Sequence, residues 1–516
     1  LHAIAVVGAL LASLTFSGRA RAQVDIALPT ADSALDVEFN ELLERFASSA
    51  PEIVRGRFSV EQARAQVDGS LALLDYALAA RFNATRAEQP TNDGLSSGLS
   101  TNERYQLGAD LTRRFRPGTQ VQLSVENSVT SSSFPFSSPA GTQIIERGPN
   151  FETALTLSAS QPLLEGFGER IYMLPLTQAQ RRMDAAELGV VQQASARLLE
   201  LMTGSVELAY SLEEVEVRHN SLRRTLEQML IADAELQAGR IAAIDQDLLR
   251  QRAAANQEAI LVSWANAQAR TRNLRGVIGE LPVQTEVWSI SPPAPVLESE
   301  VAGAVCAAAS EYSPDVATLR AQLETARLDV VRTSDTLRPQ LDVSAGITQR
   351  GLDANVPGAL GQMARLEATT LFGGLTLTVP LGNRQARSES SQARVAVERA
   401  MFEISDMERT LCTQVHELVQ NLSLLTSRAE LATYRIGIAQ RALAAEQARF
   451  AQGLSTVQNG LQALEDLETA ELEGLRIETD VELARWRLLH LSGGLMARWL
   501  PSMETLFGPT DDLDPR

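Results

Sequence analysis

The sequence predicts a mainly α protein with a membrane β-barrel section, and three observations predict it. The same landmarks occur twice in the same order. Alternating apolar segments of membrane-strand length precede each long helical pattern. Heptad seams run through those helical patterns. In the first copy Gln161-Pro162-Leu163 closes a strand and feeds a long helical pattern, which turns at Gln237-Ala238-Gly239 and returns to Ile278-Gly279. In the second, Val379-Pro380-Leu381 feeds a helical pattern that turns at Ala451-Gln452-Gly453 and returns to Ser492-Gly493. Gly239 to Gly279 is a step of 40 residues, and so is Gly453 to Gly493. Upstream, Pro51-Glu52-Ile53 pairs with Pro314-Asp315-Val316.

The composition suits long helices with narrow seams better than a large globular core. Of 516 residues only 5% are aromatic, and all 46 basic residues are arginine. The net charge of −18 and the lack of any arginine stripe argue against nucleic acid as a partner. The same charge suits an acidic lumen, although solubility explains it as well.

Residues 1–22 read as a secretory signal, with the apolar run Ala3 to Phe16 and the small-x-small site Ala20-Arg21-Ala22. A charged n-region is missing, and no cysteine follows the site to carry a lipid anchor. Beyond this run no stretch approaches the roughly 20 apolar residues of a spanning helix. An exported chain of this kind crosses a membrane only as a barrel.

The expected organisation follows the duplication. Residues 23–50 form an N-terminal segment and 51–280 the first repeat, with a β section over about 81–161 and a long helical hairpin over about 174–279. A Pro-rich linker covers 281–299. The second repeat spans 300–499, with a β section over about 341–379 and a hairpin over about 384–493, and an acidic tail covers 500–516. A loop is expected around Arg55-Gly56-Arg57, and a helix over Leu71–Ala80. Tyr105, Leu107, Ala109 and Leu111 alternate with polar residues; after the turn Arg116-Pro117-Gly118-Thr119 so do Val121, Leu123 and Val125. The Ser-, Pro- and Gly-rich stretch 131–150 reads as a surface loop. Phe151, Thr153, Leu155, Leu157 and Ala159 then alternate into Pro162, and Leu341–Ile347 and Leu375–Val379 do the same in the second copy. A soluble sandwich is the competing reading of this alternation.

The helices carry seams at sevens. Leu198, Ser205, Leu212, His219 and Leu226 recur with Leu201, Leu208, Val215, Leu222 and Met229. Leu411, Leu418, Leu425, Ala432 and Ala439 recur with Val415, Leu422, Ala429, Ile436 and Leu443. Sustained sevens specify left-handed coiled-coil packing. Some 60 residues at about 1.5 Å each reach roughly 90 Å, so the helices project far from the bilayer.

This duplicated unit resembles the TolC-like outer-membrane efflux proteins. The resemblance rests on Leu155-Thr156-Leu157 through Gln161-Pro162-Leu163-Leu164-Glu165-Gly166, on Tyr312-Ser313-Pro314-Asp315-Val316, on Arg338-Pro339-Gln340-Leu341, on Leu375-Thr376-Leu377-Thr378-Val379-Pro380-Leu381, and on the two glycine turns. It implies a homotrimer in the outer membrane, reaching into the periplasm of a Gram-negative-type cell. Each protomer would add strands to one barrel, continued by a helical tunnel. The implied function is a passive exit duct for a tripartite efflux pump or a type I secretion system, with a periplasmic adaptor and an inner-membrane pump or ABC exporter as partners. A periplasmic coiled-coil scaffold or adhesin with a soluble β cap is the alternative.

The first copy departs from the family pattern: Pro51 to Pro162 spans 111 residues, Pro314 to Pro380 only 66. The excess includes the Tyr105–Val129 hairpin. Either it enters the barrel, giving about 18 strands per trimer, or it folds over the rim; the family pattern favours twelve.

The resemblance also implies site residues. Acids six and nine places after the turn glycine close the periplasmic end of the tunnel. Asp245 fits, while Asn459 and Gln462 make the second copy's share neutral. Three Asp245 carboxylates in a ring would repel one another and attract cations; an acid favourable to a helix start is the competing reading. The turns Gly239-Arg240-Ile241 and Gly453-Leu454-Ser455 would meet the adaptor. Pro162, Pro339 and Pro380 mark the wall between barrel and tunnel. Cys306 lies 33 residues before Pro339 and Cys412 32 after Pro380, so helical segments would place both roughly 50 Å below the barrel. In an oxidising compartment they form either a disulfide or two separate buried thiols.

Chemistry is otherwise sparse. His2, His219, His416 and His490 lack metal-ligand spacing, and His219 reads as a register residue on its seam. Gly166-Phe167-Gly168 reads as a turn. Nothing in the motifs points to catalysis, and no cofactor is expected.

Overall fold

A computed structural model describes residues 27–92, 97–138, 141–283, 286–297 and 299–499. The signal read over 1–22 and the tail 500–516 lie outside the described residues. In chain order, β1 (Leu35–Asp36), α1 (Phe39–Ser49) and α2 (Pro51–Leu71) lead into four long strands: β2 (Tyr76–Asn92), β3 (Ser97–Arg114), β4 (Gln120–Ser138) and β5 (Gly141–Pro162). Then come α3 (Glu169–Tyr172), α4 (Leu174–Gln237), α5 (Ala243–Ile278) and β6 (Trp288–Ser289). The second copy contributes α6 (Ala302–Tyr312), α7 (Pro314–Asp335), β7 (Gln340–Asp353), α8 (Val356–Ala364), β8 (Ala368–Thr378), α9 (Arg384–Ala451), α10 (Val457–Leu491) and α11 (Gly494–Trp499).

The strands form one six-stranded antiparallel sheet, order β2-β3-β4-β5-β7-β8. One row of registered partners crosses it from edge to edge: Leu78, Leu111, Leu123, Leu157, Ile347 and Leu371. The adjacent row, on the other face, reads Ala79, Asp110, Ser124, Thr156, Thr348 and Thr370. Alternate side chains of a strand point to opposite faces, so one face is apolar and the other polar. Leu78 is 75% exposed and Leu371 76%. A broad apolar face open to the outside of the protomer is the pattern of a lipid-facing barrel wall, not of a sandwich whose apolar faces bury each other.

One alternative left open by the sequence narrows here, and three expectations need correction. The hairpin over Tyr105–Val129 does not fold over the rim: β3 is bonded to β2, β4 is bonded to β5, and both carry the apolar row. Residues 131–150 are largely strand, because β4 and β5 continue pairing after a bulge between Thr130 and Ser132. The helix expected over Leu71–Ala80 ends at Leu71, and Tyr76 already opens β2. Arg55-Gly56-Arg57 lies inside α2 rather than in a loop. A Cβ at Gly56 would sit 2.8 Å from Val190 Cγ2, so the glycine lets α2 approach α4 closely.

The long helices behave as their seams dictate. Leu198, Leu201, Leu208 and Val215 on α4 and Leu411, Val415 and Leu422 on α9 are buried, whereas Leu226 is exposed. Near the sheet the helices touch in the order α2-α4-α7-α9; farther away the order is α5-α4-α10-α9. At 64 residues α4 is roughly 96 Å long, and α9 at 68 residues roughly 102 Å. Among the described residues no helix is long and apolar enough to cross a membrane.

The linker is more than a spacer. β6 pairs in parallel with β1, and Trp288 is buried in a core with Phe39, Phe46, Leu201 and Trp486. The N-terminal segment, the linker and the end of the second copy thus form one belt around the helices.

Candidate functional site

The two helical turns farthest from the sheet repeat one geometry. Gly239 has φ +70° and Gly453 φ +75°, the left-handed conformation that glycine adopts without a Cβ penalty. Gly279 and Gly493, which end the returning helices, have φ +85° and +77°. The tips are not independent. Ala232 and Leu249 of the first hairpin share an apolar cluster with Phe450, Val457 and Leu461 of the second, and Ile241 packs on it. Ile241 therefore points into the protein, while Gly239, Arg240, Gly453 and Leu454 face outward. Arg240 is held by Glu235, and the Ser455 hydroxyl donates to the Glu446 carboxylate.

Asp245 and Asn459 are each the third residue of their helix, and they divide a capping box between them. In the first copy the capping residue is Ala242, which has no side-chain acceptor; Asp245 Oδ2 instead accepts from the Ala242 N–H at 3.1 Å. In the second, Thr456 Oγ1 accepts from the Asn459 N–H at 3.3 Å. One oxygen of Asp245 thus stabilises the start of α5, which is the competing role the sequence allows. Gln462 donates to Asp466 at 2.9 Å, and with Asn459, Arg435, Glu446 and Arg449 lines a polar groove between α9 and α10.

At the opposite end of the helices, Pro162 is the last paired residue of β5, registered with Asp342. The Glu165 N–H points to the Pro339 carbonyl at 3.4 Å, and the Gly166 N–H donates to Asp335 at 2.7 Å. Gly166 and Gly168 take φ +77° and +96°, so Gly166-Phe167-Gly168 is a turn. Burial pushes the Glu165 carboxyl up, and Asp335 and Asp342 add to it. Pro380 follows β8 after Val379, and Gly382 at φ +89° redirects the chain into α9.

Between these ends lies a feature the sequence reading missed. Glu468 on α10 is buried and accepts from Arg252 at 2.6 Å, Ser221 at 2.7 Å and Arg218 at 3.4 Å. Three residues on, Glu471 takes a two-pronged pair from Arg224, both bonds 2.9 Å. Farther up, Glu207 holds Arg476. These pairs join the helical hairpin of the first copy to α10 of the second. Their signal in the sequence is opposite charge at similar helical steps, legible only once the two copies are known to be neighbours. Between Glu207 and Arg218 on α4, burial pushes the Glu213 carboxyl up, helped by Glu478 and Glu482.

Cys306 and Cys412 are joined by a disulfide that ties α6 to α9, their Cα atoms 5.0 Å apart. His219 Nε2 lies 2.8 Å from the Pro29 carbonyl, so this seam histidine anchors the N-terminal segment. His490 lies 3.0 Å from Ser195 Oγ, and burial lowers its pKa against a smaller opposing pull from Asp315.

Residues 306–494 match the family described as outer membrane efflux protein. No curated protein matches the chain in sequence at a significant level. The fold is that of solved outer-membrane proteins. The outer membrane protein VceC from Vibrio cholerae is 17% identical, with a TM-score of 0.63 over 88% of this chain and 96% of that one. The Campylobacter jejuni CmeC outer membrane channel is 12% identical, with a TM-score of 0.63 over 88% and 85%. A membrane protein from Pseudomonas aeruginosa is 17% identical, with a TM-score of 0.62 over 90% and 92%.

Proposed function

The chain belongs to the TolC-like outer-membrane efflux proteins, and we propose that three copies of it form the exit duct of an efflux or secretion system. It sits in the outer membrane and extends into the periplasm. The observation that carries the proposal is the sheet of one protomer. Its apolar face is open, and its edges β2 and β8 carry unpaired backbone groups. In hydrocarbon each unpaired group costs several kcal/mol, so the sheet must close with other copies. A soluble cap would bury the Leu78–Leu371 row instead.

In this reading the helices continue the barrel as a tunnel, and solute moves down its gradient or is driven by partners. The outward residues Gly239, Arg240, Gly453 and Leu454 meet the helical tips of a periplasmic adaptor, behind which stands a proton-driven pump or an ABC exporter. Asp245 has a second oxygen beyond its cap, and three such carboxylates form the cation-attracting ring of a periplasmic gate. Asn459 and Gln462 leave that ring less charged than six acids would.

Membrane extraction tests the reading. The chain is expected to resist salt and alkali, to need detergent, and to run as a trimer by native mass measurement. Release by alkali as a single soluble subunit would support the scaffold alternative.

A further inference from the structure

We propose that the assembled barrel has eighteen strands, the β3–β4 hairpin widening it beyond the twelve strands of the family pattern. The inference rests on the trimeric channel reading.

The order of elements carries it. Around the neck the helices run α2-α4-α7-α9, and above them the strands run β2-β3-β4-β5-β7-β8. The chain passes from α2 into β2, from β5 toward α4, from α7 into β7 and from β8 into α9. Four strands therefore stand over four helices in the same order, and β3 and β4 are the pair with no helix beneath. They are inserted in the middle of the first copy's strands, not added at an edge.

Widths explain why two further strands fit. Strands about 4.8 Å apart and tilted about 40° occupy roughly 6.3 Å of circumference each. Four cover roughly 25 Å and six roughly 38 Å on that spacing. Four helices packed about 9 Å apart cover roughly 36 Å. The six-stranded sheet is thus about as wide as the helical layer it surmounts. Three protomers would give a ring roughly 36 Å across between strand axes, against roughly 24 Å for twelve strands.

The hairpin is built into the wall. On the polar face, Asp110 of β3 receives Arg81 of β2 at 2.5 Å and Ser124 of β4 at 2.5 Å. Its turn is anchored to the neck: Gln161 donates to the Pro117 carbonyl at 3.0 Å, and Arg116 pairs with Glu169 at 3.4 Å. Parity also fits. With six strands β2 and β8 run in opposite directions, so β8 of one copy meets β2 of the next as an antiparallel pair and the ring closes without a parallel join. In such a barrel the membrane section offers little resistance, and selection falls to the periplasmic tips.

Electron cryomicroscopy of the full chain in lipid nanodiscs tests this, with spin labels at Leu107 and Val125 on the hairpin and at Leu157 on β5 as a second readout. The expected results are eighteen strands in a continuous threefold ring and equal oxygen accessibility at all three labels. A threefold particle with twelve wall strands, or water-like accessibility at Leu107 and Val125 alone, would overturn the inference while leaving the exit-duct reading standing. A single water-soluble subunit would overturn both.

Discussion

Arg252 donates to Glu468 at 2.6 Å, and this bond fastens the returning helix of one copy to the returning helix of the other. Glu468 also takes Arg218 and Ser221, so its removal leaves several buried donors short of an acceptor. Breaking a buried pair costs about 3–5 kcal/mol. Arg252 keeps Glu465 and Arg218 keeps Glu214, which places Glu468→Ala at the lower end, about 3 kcal/mol. The thermal midpoint of the helical circular-dichroism signal is expected to fall. Exposed Glu430→Ala on α9 serves as the control and is expected to leave it unchanged.

The two faces of the sheet respond differently to charge. Leu123 and Leu157 sit mid-row on the apolar face, and an arginine facing the bilayer midplane costs about 2–4 kcal/mol. Leu157→Arg is expected to cut the yield of membrane-inserted protein. Thr156→Arg, one residue away on the polar face, is expected to insert normally. Equal losses for the two variants in a membrane-fractionation assay would contradict the assignment of faces.

The disulfide closes a sequence separation of 106 residues. In the chain-entropy account a cross-link over such a loop contributes about 4–5 kcal/mol. The double variant Cys306→Ser, Cys412→Ser is therefore expected to melt earlier than the oxidised protein, and a thiol reductant is expected to lower only the parent's midpoint.

Burial lowers the His490 pKa below its ordinary value of 6.5. The folded protein thus favours the neutral ring, and the unfolded chain binds the proton first. This contribution to stability is full above about pH 6.5 and is lost as pH falls below that value toward the folded pKa. His490→Gln is expected to flatten that acid limb in unfolding measured between pH 7 and pH 5. An unchanged limb would assign the acid sensitivity elsewhere.

Asp245→Asn separates the two roles of Asp245. Asparagine still accepts from the Ala242 N–H, so α5 keeps its cap while the ring loses its charge. Cation preference in single-channel recordings is expected to fall toward unity with no change in thermal stability. A loss of stability with unchanged preference would leave only the capping role.

What the sequence reveals is what its periodicity encodes. The glycine turns, the seams on α4 and α9 and the strands ending at Pro162 and Thr378 follow from spacing alone. The start of β2 escapes because Ala77, Ala79 and Ala80 blur its alternation and favour helix, until pairing with β3 decides the conformation. The far ends of β4 and β5 look like loop because serine, glycine and proline are turn formers, until the pairing of the two strands decides the conformation. Trp288 hides in a proline-rich stretch, since its burial depends on β1, some 250 residues earlier. The Glu468 network is equally silent, because it requires two copies to be placed side by side.

The central claim is a closed passage through the outer membrane made from copies of this chain. Its most direct test is conductance across a planar lipid bilayer after addition of the detergent-extracted, full-length protein. The account predicts discrete steps of uniform size from a trimer. A protein that remains a single soluble subunit and passes no current would contradict it.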